Sequence, residues 1–243
     1  MTPTAQKHDF RLLAEFAGLF DGQIYRHRAS TQGDFVAMHL YEDLYSIQRS
    51  KKYVAAVQTG RSVLNTQNQT RGIKSRRGDG TFGEIVPGET PIADIGYQVA
   101  RGPIAATEIG VEVKILAKAM IKQIDRVTGD LLKQVAAFRR GGKKAITIGI
   151  VGVNHAERTV GYEGDRATPT TGKGSFPHPT QEAGEAERRL LTEAAPSFDE
   201  FIILRYKATN EAPFPFEWVD FHGTRQDYGA ALARISREYD ERF

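Results

Sequence analysis

The sequence predicts an α/β fold, a central mixed β-sheet flanked by helices, and three observations carry that prediction. Ala145 to Val153 (AITIGIVGV) is a near-continuous apolar run rich in Ile and Val, the pattern of a strand buried on both faces. Thr107 to Leu116 is a second strand-like run. Between the two lies Ala117 to Arg140, with Met120, Ile124, Val127, Leu131, Leu132, Val135 and Phe138 at helical spacing. Strand, long amphipathic helix and buried strand in succession describe a layered α/β domain.

The remaining elements follow in order. Asp34 to about Thr59 reads as helix, from the spacing of Phe35, Met38, Leu40, Leu44, Ile47, Val54 and Val57 after a Gly33-Asp34 start. Arg61 to Gly88 reads as a polar, basic loop or irregular hairpin punctuated by Gly72, Gly78, Gly80 and Gly83. Ile92 to Val99 alternates as a strand should, and Arg101-Gly102-Pro103 breaks it. After the long helix, Gly141-Gly142 is the expected stop. Gly161 to Pro179 reads as a long Gly/Thr/Pro loop, Gln181 to Ala194 as helix, Phe198 to Tyr206 as strand and Tyr228 to Phe243 as a terminal helix.

Composition limits the function classes. The 243 residues suit one domain, 1–243, with a core at about 34–207 to which the 61–88 loop and the 228–243 helix are additions. The absence of cysteine excludes disulfides and thiolate metal sites and fits a cytoplasmic protein. The opening residues lack an apolar signal core, and no run approaches the roughly 20 apolar residues of a membrane span. Net charge is only +3, yet basic residues cluster at Lys51-Lys52, Arg71 to Arg77, Arg139-Arg140 and Lys143-Lys144. Such clustering suits a polyanionic partner approached on one face, although each cluster alone is also ordinary solvated surface.

The chemistry is expected at Pro91-Ile92-Ala93-Asp94 together with Glu112-Val113-Lys114. Glu112 and Lys114 are two apart on a strand, so they share a face while Val111, Val113 and Ile115 take the other. Charges within an apolar strand are costly unless paired or bound to metal. An aspartate on the neighbouring strand, expected to be Asp94, completes an oxygen-rich site suited to Mg²⁺, with Mn²⁺ as a substitute. The bland alternative is a surface Glu–Lys pair worth under about 1 kcal/mol.

On these residues the chain resembles the PD-(D/E)XK nuclease superfamily, with a restriction endonuclease-like fold in the order helix, strand, strand, helix, strand. Two residues, Ile92 and Ala93, separate the proline from the aspartate, which departs from that superfamily's usual dipeptide. The resemblance implies a metal-dependent endodeoxyribonuclease, expected to be a type II restriction enzyme that cuts double-stranded DNA. It implies Asp94, Glu112 and Lys114 as catalytic residues, and Asp94 and Glu112 as metal ligands. It also implies a further carboxylate, Glu42 or in competition Glu84, and a supporting glutamine, Gln134 or Gln123. A homodimer and a cognate DNA methyltransferase are the partners that this biology implies. A less specific defence or processing nuclease, or a non-catalytic DNA-binding protein of the same fold, is the alternative.

Arg71, Lys74, Arg76 and Arg77 suit phosphate contacts, and Asn65, Gln67, Asn68 and Gln69 can read base edges. His155, just after the buried strand, reads as a structural histidine. Thr170 to Gly174 lacks the glycine spacing and the Lys-Ser/Thr pair of a nucleotide-binding loop.

Overall fold

A computed structural model describes residues 10–26, 31–65, 78–118, 120–141, 144–163, 166–170 and 179–243. Its centre is a seven-stranded mixed sheet in the order β3-β1-β2-β4-β5-β8-β9. The strands are β1 (Ser62–Asn65), β2 (Gly80–Ile85), β3 (Arg101–Gly102), β4 (Ile104–Leu116), β5 (Ile146–Asn154), β8 (Glu200–Ala208) and β9 (Phe216–Trp218). β6 (Thr159–Glu163) and β7 (Arg166–Thr170) form a separate hairpin. β4, β5 and β8 are parallel neighbours, whereas β2 runs antiparallel to β4 and β9 antiparallel to β8. β5 is buried along its whole length, as its unbroken apolar run requires.

Helices cover both faces. α1 (Arg11–Gly18), α2 (Thr31–Ser46) and α6 (Phe221–Arg242) pack one face through Phe16, Leu40, Tyr41, Leu232 and Tyr239, with α3 (Lys51–Gln58) beside them. α4 (Met120–Gly141) and α5 (Pro179–Arg189) pack the other face through Ile124, Leu131, Ala183 and Ala186. α5 continues into a π-turn, Leu190–Ala194. Among the described residues no helix is long and apolar enough to cross a membrane.

Several elements differ from expectation for identifiable reasons. The 34–59 helix is two: Gln48 adopts φ 53°, and Ser50 caps α3 by accepting the Tyr53 N–H. The 61–88 loop contains β1 and β2, whose Gly and Ser residues hid their pattern. The Ile92–Val99 strand does not form. Only an isolated Ile92–Arg101 bridge does, Ile92 and Ile95 are exposed, and Gly96 turns the chain at φ 84°. Arg101-Gly102, expected as a break, is β3, and β4 starts earlier than expected, at Ile104. The 161–179 loop carries part of the β6–β7 hairpin. β9 and α1 were not anticipated. α1 has no side-chain cap of its own; Asp43 of α2 accepts the N–H groups of Arg11 and Leu12 at 2.7 and 2.9 Å.

Candidate functional site

Glu112 and Lys114 lie in the middle of β4, where every surrounding position is apolar, and turn toward α4. Glu112 is buried (6% exposed), Lys114 is half-buried, and Lys114 Nζ donates to Glu112 Oε1 at 2.5 Å. The aspartate that joins them is Asp79. β2 begins at Gly80, opposite Val111, so the next β4 amide on that side, Val113 N–H, has no strand to pair with. Asp79 Oδ2 accepts it at 2.8 Å. The same hydrogen bond sets the Asp79 carboxylate beside Glu112.

Small residues close the site. A Cβ on Gly33, in the first turn of α2, would stand 2.5 Å from Asp79 Cγ, so α2 presents bare backbone to that carboxylate. The positive end of the α2 dipole then favours the anion. A Cβ on Gly80 would meet Ala37 at 2.5 Å, which explains how α2 sits so close to β2. On the other face Phe138 of α4 fills the space above Gly110 and Gly78, where a Cβ would lie 2.4 and 2.5 Å from its ring. One helical turn earlier, Gln134 is buried with Nε2 3.1 Å from a Cβ position on Gly78. One turn earlier again, Asp130 lies close enough for its charge to act on Lys114.

The electrostatics follow from this packing. Burial, then the Asp79 charge, pushes the Glu112 carboxyl up to about 7 although Lys114 opposes the shift. Burial disfavours the Lys114 charge, but Glu112, then Asp79 and Asp130, outweigh it and hold the ammonium above its usual range. Two crowded carboxylates, one of them poorly ionised, form a place where a cation is favoured. Among the described residues no three His, Asp or Glu side chains form a metal-binding group by themselves. Two carboxylates completed by water and phosphate oxygens is nevertheless the usual Mg²⁺ arrangement, and Asp79 with Glu112 fits it.

The structure moves the other expected residues elsewhere. Asp94 is not in the site: its carboxylate takes both Arg101 Nε and Arg101 Nη2, the latter at 2.6 Å. It stands outside β3, at the sheet edge, and Arg101 precedes the start of β4. From Ile104 to Glu112 alone the strand travels roughly 26 Å. Glu42 is buried, but Oε1 and Oε2 accept from the Gln98 and Val99 N–H groups and pair with Arg11, so it pins the 97–99 turn to α2. Glu84 is exposed near the opposite end of β2, across from Ala106. Gln123 Nε2 donates to the Lys118 carbonyl. His155 lies 3.6 Å from Glu187, which also binds Arg205, and so ties the end of β5 to α5 and β8. Asn65 is buried in β1. Gln67, Asn68, Gln69, Arg71, Lys74, Arg76 and Arg77 fall outside the described residues, although Arg77 is two residues from Asp79 in the chain.

Local pattern does not mark Asp79, because RRGDGTFGE reads as a glycine-rich loop. The available signal is an aspartate directly before Gly80-Thr81-Phe82, the start of the strand that pairs antiparallel with the one bearing Glu112-Val113-Lys114. No family model matches this chain, and neither a curated protein nor a solved structure matches it.

Proposed function

We propose that this protein is a Mg²⁺-dependent endodeoxyribonuclease with a restriction endonuclease-like core, and that Asp79, Glu112 and Lys114 form its centre. The observation that carries this reading is the convergence of Asp79 and the buried Glu112–Lys114 pair at the end of the β2–β4 ladder. The order α2, β2, β4, α4, β5 supports it, as does a basic run that ends two residues before Asp79.

Mg²⁺ held by Asp79 and Glu112 would supply Lewis-acid chemistry to a phosphodiester. The chain's own groups do the rest. The Val113 N–H fixes the Asp79 carboxylate, and the first turn of α2 lies against it. Lys114 Nζ, which donates to Glu112 Oε1, is the group placed to donate instead to an attacking water or a phosphoryl oxygen were Glu112 to hold the cation. Gln134 and Phe138 close the α4 side, and Asp130 is the further carboxylate within range of Lys114.

The test is digestion of plasmid DNA of known sequence with Mg²⁺ or with EDTA. Cutting that needs the metal, falls at least a hundredfold in Lys114→Ala and Asp79→Asn, and persists in Asp94→Asn supports the assignment. Cutting that survives Asp79→Asn and Glu112→Gln overturns it. Defined fragments from double-stranded DNA favour a restriction enzyme partnered by a methyltransferase, and a smear favours a less specific effector or processing nuclease.

A further inference from the structure

α4 carries a row of charge that neither the core nor the site accounts for. Ile124, Val127, Leu131, Val135 and Phe138 form its buried line against the sheet. Away from that line, Lys122, Arg126, Gly129, Lys133, Ala136 and Arg140 follow one another at spacings of four and three residues, which is a single row on a helix surface. The cations of this row are all exposed. Among all its residues α4 holds five cationic and two acidic ones, so this helix has the same positive excess as the whole chain.

The acids are turned off the row, one to each side. Asp125 pairs with Arg189 of α5, and Asp130 lies toward the β4 charges. Arg139 also leaves the row, donating to the Ser197 carbonyl at 2.8 Å. Arg126 keeps only a 3.6 Å contact with Asp130 and a bond to Gln123. Among the described residues Lys133 and Arg140 have no acidic partner. In the middle of the row stands Gly129, with nothing within 4 Å of the place its Cβ would take. A glycine inside a helix weakens it, and no neighbour requires this one. It leaves bare backbone between Arg126 and Lys133, which lets the backbone of a ligand approach closely.

We propose that this row is a track for a DNA phosphate backbone, with Lys122, Arg126, Lys133 and Arg140 neutralising phosphates beside the Asp79–Glu112–Lys114 centre. The identity of the polyanion rests on the nuclease reading, whereas the row of charge does not. The register of α4 on β4 puts the two together. Phe138 stands over Gly110, and one turn of the helix covers nearly the same distance as two residues of strand. α4 therefore reaches the level of Lys114 near Asp130, the residue that also touches Arg126 of the row. From Lys122 to Arg140 the row is about 27 Å long, or about eight base pairs of duplex. Contacts of this kind position a substrate without reading its sequence.

The experiment measures binding without cutting. Fluorescence anisotropy in EDTA, with a duplex of about 20 base pairs and a single strand of about 20 nucleotides as probes, gives the affinity between about 50 and 200 mM salt. Lys133→Ala and Arg140→Ala should each reduce the slope of log K against log salt by about one, and together weaken binding roughly tenfold or more. Arg237→Ala removes an exposed cation from α6 on the opposite face and should leave slope and affinity unchanged. Gly129→Gln should weaken binding severalfold with a melting temperature no lower than that of the wild type, an effect that damage to the fold would not produce.

The probe that binds more tightly identifies the substrate as duplex or single strand, and the dependence on α4 must hold for it. A double variant with the wild-type slope, an equal loss in Arg237→Ala, or a wild type that binds neither probe overturns the proposal. Binding through α4 by a chain that never cuts with Mg²⁺ leaves the track standing and removes the nuclease reading. Cutting with binding indifferent to α4 does the reverse.

Discussion

The Asp79 carboxylate accepts the backbone N–H of Val113 at 2.8 Å, completing the β2–β4 ladder with a side chain where the strand itself has ended. One contact therefore has two consequences, one for stability and one for the site. Asp79→Ala leaves a part-buried amide without its partner, which costs about 1–3 kcal/mol. Asp79→Asn keeps an acceptor oxygen but removes the charge beside Glu112. Urea unfolding should show a clear loss for the alanine variant and a smaller one for the asparagine variant, while both lose metal-dependent cutting. Asp94→Ala breaks a solvent-facing ion pair with Arg101 and should change stability by less than about 1 kcal/mol, with cutting retained.

Glu112 provides a pH test whose sign is fixed by its surroundings. Burial and Asp79 raise its carboxyl to about 7, above the value it has in an unfolded chain. The folded state therefore holds a proton that the unfolded state releases between about pH 4.3 and 7. Stability from this group is present at low pH and is lost as pH rises through that window. Glu112→Gln should abolish the slope and be the more stable protein above pH 7. Mg²⁺ competes with the same proton, so the rise in melting temperature on adding Mg²⁺ should be larger at pH 8 than at pH 6. An equal rise at both values, or none in the wild type, would contradict the role of Glu112 as a ligand.

Which parts were legible in the sequence depends on what each residue had to do. β5 and α4 were plain because Ile146 to Val153 and Met120 to Phe138 meet their partners through apolar periodicity alone. Glu112 and Lys114 were plain because charges in an apolar strand demand a reason. Asp79 was not, because its neighbours Gly78 and Gly80 are glycines for the sake of Phe138 and Ala37, contacts that no local pattern announces. Asp94 misled because alternation from Ile92 to Val99 resembles a strand, yet Ile92 and Ile95 face solvent and Arg101 already neutralises the aspartate. α1 was invisible for a similar reason, since its cap comes from Asp43 on another helix.

His39 supplies a second pH dependence of the opposite kind. It is 1% exposed on α2, packed on edge against Phe35, and neither ring nitrogen has a hydrogen-bond partner among the described residues. Burial, then the Arg11 charge, lowers its pKa to about 4. The unfolded chain takes up a proton near pH 6.5 that the folded chain refuses. Stability is therefore complete above that pH and falls as pH drops toward 4, by up to about 1.4 kcal/mol per pH unit. His39→Phe should flatten this loss, and urea titrations at pH 5 and 7.5 would measure it. A Glu112→Gln protein with His39 intact that is equally stable at both values would refute the assignment.

Gly33→Ala tests the geometry of the site from the helix side. In the interior of an exposed helix, replacing glycine by alanine normally adds about 1 kcal/mol of stability. At Gly33 the new methyl would stand 2.5 Å from Asp79 Cγ and 2.7 and 2.8 Å from its two oxygens. Those distances cannot persist, so either α2 withdraws from β2 or the carboxylate rotates away from the Val113 N–H. The Asp79 side chain is short and the Gly80–Ala37 contact holds the helix close, which makes the carboxylate the part that yields. The expected outcome is a protein whose melting temperature changes little, because propensity gained offsets a hydrogen bond lost, but whose Mg²⁺-dependent cutting falls at least tenfold. Gly184→Ala on α5, where a Cβ meets nothing within 4 Å, should show the ordinary gain in stability with activity unchanged. If Gly33→Ala cuts DNA as well as the wild type, the Asp79 carboxylate does not need the position that α2 and β4 give it.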